Sequence, residues 1–315
     1  MGIDMGTDFS AAGPVLAGYD GSEGGCDALT LGALIAERIG AELVVGAVLP
    51  NHTARRFAEA SVGSVEHDVE RALEERARRA AADMPGARAE TVHASSPARG
   101  LYDLATALGA SVVAIGSSNG TAGRTRAGRT AHALLQGSPA AVALAPVGFR
   151  YESPGLRVIG VAVDGSPESD EALAAAVAVA DGATLRLMSV AGSPVAGYWG
   201  YGSWGYGLEE MGEAAVDLAR GNLDRAVAEV PPRLRPATKV LHGDVAAELV
   251  REAEQGIDLL CLGSRGFGPV RRVLLGSVSS AVVRDVECPV LVVPRSSTDH
   301  DPAAEPIDAA EVRAG

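Results

Sequence analysis

The sequence predicts an α/β protein built from two tandem, doubly wound domains, each a five-stranded parallel sheet with helices on both faces. Three observations carry this. The chain has 315 residues, and domains typically run to about 150 residues. An apolar run ending in Asp-Gly-Ser occurs twice, as Val15 to Ser22 and as Ile159 to Ser166, which marks an internal repeat. After each copy, short apolar runs alternate with helical stretches in the same order, and that alternation implies parallel strands joined by right-handed crossovers.

The elements follow in register. Cys26 to Arg38 and Glu168 to Ala180 have helical spacing rich in Ala and Leu. Second strands are expected at Ala41 to Val48 and Ala183 to Val190, then long charged helices at Val65 to Ala82 and Leu208 to Glu229. Third strands fall at Arg88 to His93 and Thr238 to His242, and short helices at Ala98 to Leu108 and Val245 to Glu254. Fourth strands, Ser111 to Ile115 and Leu259 to Leu262, run into Gly-Ser. Fifth strands, Ala140 to Ala145 and Val290 to Val293, are closed by Pro146 and Pro294. The domains are expected at 12–148 and 155–296. The polar, acidic tail 297–315 is expected to be disordered.

Composition narrows the function. The formal charge of -13 opposes a nucleic-acid surface and an anionic membrane surface. Lys239 is the only lysine, so no Gly-Lys-Ser/Thr phosphate loop exists here. Three widely spaced cysteines, Cys26, Cys261 and Cys288, give no disulfide framework and suit a reducing cytoplasm. Cys261 lies in an apolar run and reads as a core residue. Met1 to Ala12 has neither a basic start nor an apolar stretch, so a secretory leader is not expected. No metal-ligand pair and no Gly-x-Ser-x-Gly elbow is present, so neither a metal site nor a catalytic residue is assigned.

The chemistry concentrates between Gly263 and Ser277. The spacing is Gly263-x2-Gly266-x9-Gly276-Ser277, starting at the end of a strand and finishing where a helix begins. Glycines let backbone N–H groups approach a phosphate, and a helix N-terminus favours the anion. Arg265, Arg271 and Arg272 add positive charge. The competing reading is that glycines end strands and Ser277 is an ordinary N-cap.

These residues, with Val163-Asp164-Gly165-Ser166 and the closing Cys288-Pro289-Val290-Leu291-Val292-Val293-Pro294, make the chain resemble a tandem universal stress protein. The resemblance implies a Rossmann-like, adenine nucleotide α-hydrolase-like fold and ATP as cofactor, with Mg²⁺ as its companion. It places Asp164 and the Val190 backbone at the nucleoside. It places Gly263, Arg265, Gly266, Gly276, Ser277 and the N–H of Val278 at the phosphates. It also implies pairing through fifth strands, either as a homodimer or as a pseudo-dimer inside one chain.

The first repeat departs from this pattern. Its loop reads Gly116-Ser117-Ser118-Asn119-Gly120, then seven residues, then Gly128-Arg129-Thr130. One residue and the serine are lost. Asp20, Val48, Gly116, Gly120, Gly128 and Thr130 make up a candidate second site, for which weaker affinity is expected; the alternative is a retained fold that serves only the contact between the repeats. A Gly-rich loop at 192–207 holds Tyr198, Trp199, Tyr201, Trp204 and Tyr206, either as a cover for a ligand or as a loop on its own helix. The leading expectation is an ATP-binding regulatory protein. An adenylyl-transferring or slowly hydrolysing enzyme and a non-binding scaffold are the alternatives.

Overall fold

In the computed structural model the described residues are 13–50, 63–117, 127–152, 155–192, 208–264 and 275–294. Arg265, Gly266, Gly120, the aromatic residues of the 192–207 loop and the tail 297–315 lie outside them. The first repeat comprises β1 (Val15–Gly18), α1 (Glu23–Ile39), β2 (Leu43–Pro50), α2 (Gly63–Ala82), β3 (Arg88–Ala94), α3 (Pro97–Leu108), β4 (Val112–Gly116), α4 (Arg129–Gly137) and β5 (Ala141–Ala145). The second comprises β6 (Val158–Ala162), α5 (Pro167–Val179), β7 (Thr184–Gly192), α6 (Leu208–Glu229), β8 (Ala237–Gly243), α7 (Val245–Ala253), β9 (Leu259–Gly263), α8 (Ser277–Asp285) and β10 (Val290–Val293).

Helix starts follow local hydrogen bonding. Ser22, Ser96, Ser166 and Asp244 each accept an N–H from the first turn of α1, α3, α5 and α7. Capping by Ser22 starts α1 at Glu23, ahead of the periodic apolar residues that suggested Cys26. Gly40 and Gly109 close α1 and α3 in the left-handed conformation.

Within each repeat the strands are parallel. The two five-stranded sheets join into one ten-stranded sheet of order β3-β2-β1-β4-β5-β10-β9-β6-β7-β8. The join is the antiparallel pair β5–β10, with Val142 opposite Val292 and Leu144 opposite Val290. Both strands are buried along their whole length. Each would be an unpaired apolar edge without the other, so the fifth strands pair inside the chain. The cores are accordingly shared. One apolar layer, under α1, α2, α5 and α6, runs from Leu31 and Val45 through Ala143 and Leu291 to Leu187. The other, under α3, α4, α7 and α8, runs from Leu16 and Val113 through Leu144 and Val290 to Leu260.

The connection between repeats is pinned. Phe149–Tyr151 forms a 3-10 turn, and Phe149 is buried. Asp27 of α1 is fully buried. It accepts the backbone N–H of Gly148 at 2.9 Å and of Arg150 at 3.1 Å. The Arg150 guanidinium lies 3.3 Å from the same carboxylate and stacks over the Tyr151 ring at 4.3 Å. Arg38 extends the junction, donating to the Leu156 carbonyl at 3.0 Å and to that of Asp181.

Candidate nucleotide site

Strand order reverses at β1/β4 in the first repeat and at β6/β9 in the second. Crevices beyond the carboxyl ends of the strands open at such points, and the structure has a cavity at each. The first encloses about 620 Å³ and the second about 190 Å³. Every residue lining the smaller cavity has its repeat counterpart lining the larger one.

The Asp-Gly-Ser segments build one wall. In the first repeat the Ser22 N–H and hydroxyl both donate to Asp20 Oδ1, at 2.9 and 2.5 Å. In the second, Ser166 does the same to Asp164 Oδ1, at 2.9 and 2.5 Å. These are Asx turns. Gly21 and Gly165 sit at φ 77° and 83°, where a Cβ is strained. Each turn is also overhung by the long helix that follows the second strand. Arg76 donates to the Gly21 carbonyl at 2.7 Å, and Asn222 to the Asp164 carbonyl at 3.0 Å. Both aspartates remain exposed and line their cavities, so the turn engages one carboxylate oxygen while the residue still faces the crevice.

Around Asp164 the charge is uneven. Burial pushes the Asp170 carboxyl up; Arg225, 3.7 Å away, opposes this, and Asp164 adds to the rise. Glu229 is also held above the ordinary carboxylate value by burial and by Asp170.

The opposite wall is the start of α4 or α8. Gly276, not Ser277, is the N-cap of α8, so the reading of Ser277 as the cap is corrected. Gly128 caps α4, and neither glycine offers a side-chain cap. The first intrahelical bonds run from Ser280 to Gly276 and from His132 to Gly128. The N–H groups of Ser277, Val278 and Ser279, and of Arg129, Thr130 and Ala131, therefore precede the ladder. Val278 and Ser279 line the second cavity, and Gly128, Arg129, Thr130 and Ala131 the first. Val190 and Val48 complete the equivalent positions on the second strands.

Gly263 and Gly116 have a role that spacing did not reveal. A Cβ on Gly263 would lie 2.8 Å from the Glu168 carbonyl carbon and oxygen, and one on Gly116 only 2.0 Å from the Gly24 oxygen. Both glycines let the strand end pack against the first helical turn, so their presence alone does not argue for a ligand. Ser279 ties this region together by donating to the Gly263 carbonyl at 2.8 Å. The Gly276 N–H donates to the Ser264 carbonyl at 2.8 Å, closing the ends of the loop. Ser279 and Asp27 were not singled out from sequence; each carries a tertiary contact with no local spacing signature.

Among the described residues, no group of three or more His, Cys, Asp or Glu is placed to hold a metal ion. None of the described helices is long and apolar enough to cross a membrane.

Comparison with known proteins agrees with this geometry. The family model described as the universal stress protein family matches twice, over residues 12–146 and 155–294. A universal stress protein of Mycobacterium bovis is 28% identical over 89% of this chain and 99% of its own length. One from Thermus aquaticus is 34% identical over 44% of this chain and 98% of its own. The crystal structure of a universal stress protein from Archaeoglobus fulgidus shares the fold, with a TM-score of 0.62 and 21% identity over 90% of this chain and 99% of that one.

Proposed function

The chain belongs to the universal stress protein family, and from that premise we propose that it is an ATP-binding regulatory protein in which the nucleotide acts as an effector. One observation carries the reading: at both switch points an acidic turn and an uncapped helix N-terminus face each other across a cavity. Asp164 or Asp20 would accept from the ribose or base. The orphan N–H groups and the helix dipole would hold the phosphates. In the second repeat these are the N–H groups of Ser277 and Val278, together with Gly263, Gly276, Arg265 and Gly266; in the first they belong to Arg129 and Thr130, with Arg129 adding charge. Mg²⁺ would travel with the phosphates.

Asp20 and Asp164 each accept two hydrogen bonds on Oδ1 within their own turns, which fixes them as acceptors for the nucleoside rather than as bases for a water over the phosphates. Binding without rapid turnover is the expected behaviour, and the nucleotide would act by stabilising the conformation that holds it. A cytoplasmic setting suits three cysteines that are all free thiols. Since β5 and β10 already pair with each other, association between chains would have to use another surface. The test is mass spectrometry of ligand released from denatured protein, with a phosphate-release assay on the native protein. Adenine nucleotide in the extract without appreciable turnover supports the effector reading. Rapid ATP turnover overturns it in favour of an enzyme.

A further inference from the structure

Helix α6 carries an apolar outer face that its counterpart in the first repeat lacks. Its inner side packs on the sheet through Leu223, Ala226 and Val230, as α2 does through Ala77, Ala80 and Met84. That register equates the outward positions of the two helices. On α2 the exposed residues Asp68, Glu75 and Arg79 form ion pairs along the helix, Asp68 with Arg71 at 3.6 Å and Glu75 with Arg79 at 3.0 Å. On α6 the positions of Asp68 and Glu75 hold Ala214 and Gly221, with Leu218 between them. Met211 is 50% exposed and Leu218 67%. Met211, Ala214, Leu218, Gly221, Arg225 and Ala228 are all exposed and alternate in steps of three and four, the spacing of a helix that packs on another helix. Gly221 is an independent sign. Glycine inside a helix is disfavoured and usually has a packing reason. Here a Cβ would have nothing within 4 Å beyond its own helix among the described residues, so no contact within them calls for the glycine.

We propose that this face of α6 pairs with the same face of a second copy of the chain, the two helices running antiparallel about a two-fold axis. The face fits itself. In one antiparallel register Leu218 meets the partner's Gly221, Met211 meets the partner's Ala228, and Arg225 meets the partner's Ala214. Each contact sets a large side chain against a small one, as interdigitating helices require, and the two-fold makes each of them twice. Gly221 is then the hole that receives Leu218, and the Arg225 stem lies along the seam with its charged end at the rim. Charge also favours a like partner. The chain carries -13, but the four charged residues nearest the axis, Asp217, Arg220, Asp224 and Arg225, sum to zero. Two such helices meet there without the repulsion that the rest of the surface would impose. The fifth strands are already paired inside the chain, so α6 supplies the surface that association between chains needs. Nothing in this pairing depends on the nucleotide.

The experiment is sedimentation equilibrium of the full chain over a range of concentrations, with thermal unfolding alongside. Wild type is expected to show a monomer–dimer equilibrium. Gly221→Leu fills the hole, and should weaken the dimer by at least about tenfold, the effect of losing one central contact. Leucine is a better helix former than glycine, so this variant should unfold no lower than wild type, and a lost dimer cannot be put down to lost folding. Exchanging the pair, Leu218→Gly with Gly221→Leu, keeps the helix composition and moves knob and hole together. Because each residue meets the other across the axis, the exchange should restore the dimer. A dimer unchanged by Gly221→Leu would place the contact elsewhere and overturn the proposal. So would wild type that stays monomeric throughout. A monomer that Leu218→Glu destabilises would show that the chain covers this face with its own residues, which equally overturns it.

Discussion

Removing the Asp27 carboxylate should loosen the junction between the repeats. In Asp27→Ala the backbone N–H groups of Gly148 and Arg150 and the Arg150 guanidinium all lose their acceptor in a fully buried place. Breaking a buried ion pair by deleting one partner costs about 3–5 kcal/mol. The Arg150 side chain keeps 17% of its exposure and still reaches Glu23, so it can recover some hydration. The lower end, about 3 kcal/mol, is therefore expected. In a chain of this size that corresponds to a fall in Tm of roughly 6–12 °C. Asp27→Asn keeps one acceptor oxygen and should fall between Ala and wild type. Urea unfolding at pH 7 measures the loss, and a double-mutant cycle with Arg150→Ala isolates the pair. The coupling should exceed about 1 kcal/mol, as groups in one network do. A loss under about 0.5 kcal/mol for Asp27→Ala, the range of ordinary surface changes, would refute the view that this carboxylate pins the connection.

Two further outcomes follow from the titrating groups. Burial pushes the Cys288 thiol up to about 12 and the Cys261 thiol upward as well. At pH 8 a thiol reagent should modify Cys26 in the native protein and reach Cys261 and Cys288 only on unfolding. A native stoichiometry of three would contradict this. The folded values lie above the free thiol's 9.0, so the stability these thiols add is intact below that pH and declines as pH rises toward 12. The Asp170 carboxyl is held above 3.8 mainly by burial, so the folded state resists its ionisation. Asp170→Asn should match wild type below pH 4 and become relatively more stable toward pH 7, by up to about 0.5 kcal/mol for a site this exposed. Differential scanning fluorimetry at the two pH values reads the difference; a variant less stable at pH 7 would show that the Arg225 pairing outweighs burial.

Much of the fold was legible because its signals are local. Each strand is a short apolar run, and the Asp-Gly-Ser turn combines a left-handed glycine with a capping serine. The repeat then supplied every element twice. The candidate site was legible at Asp20, Asp164 and the α4 and α8 starts, where residue type and backbone geometry coincide. What the sequence did not reveal is tertiary: Gly263 lines the second cavity and also lets the strand end pack on the backbone at Glu168.

The central claim, that this universal stress protein holds ATP without consuming it, is tested most directly by titrating ATP into the full chain in a calorimeter while following phosphate release in the same sample. The account predicts a saturable heat and no phosphate release beyond the background of the buffer over the titration. A flat titration across millimolar ATP, or steady multiple turnover, would contradict it.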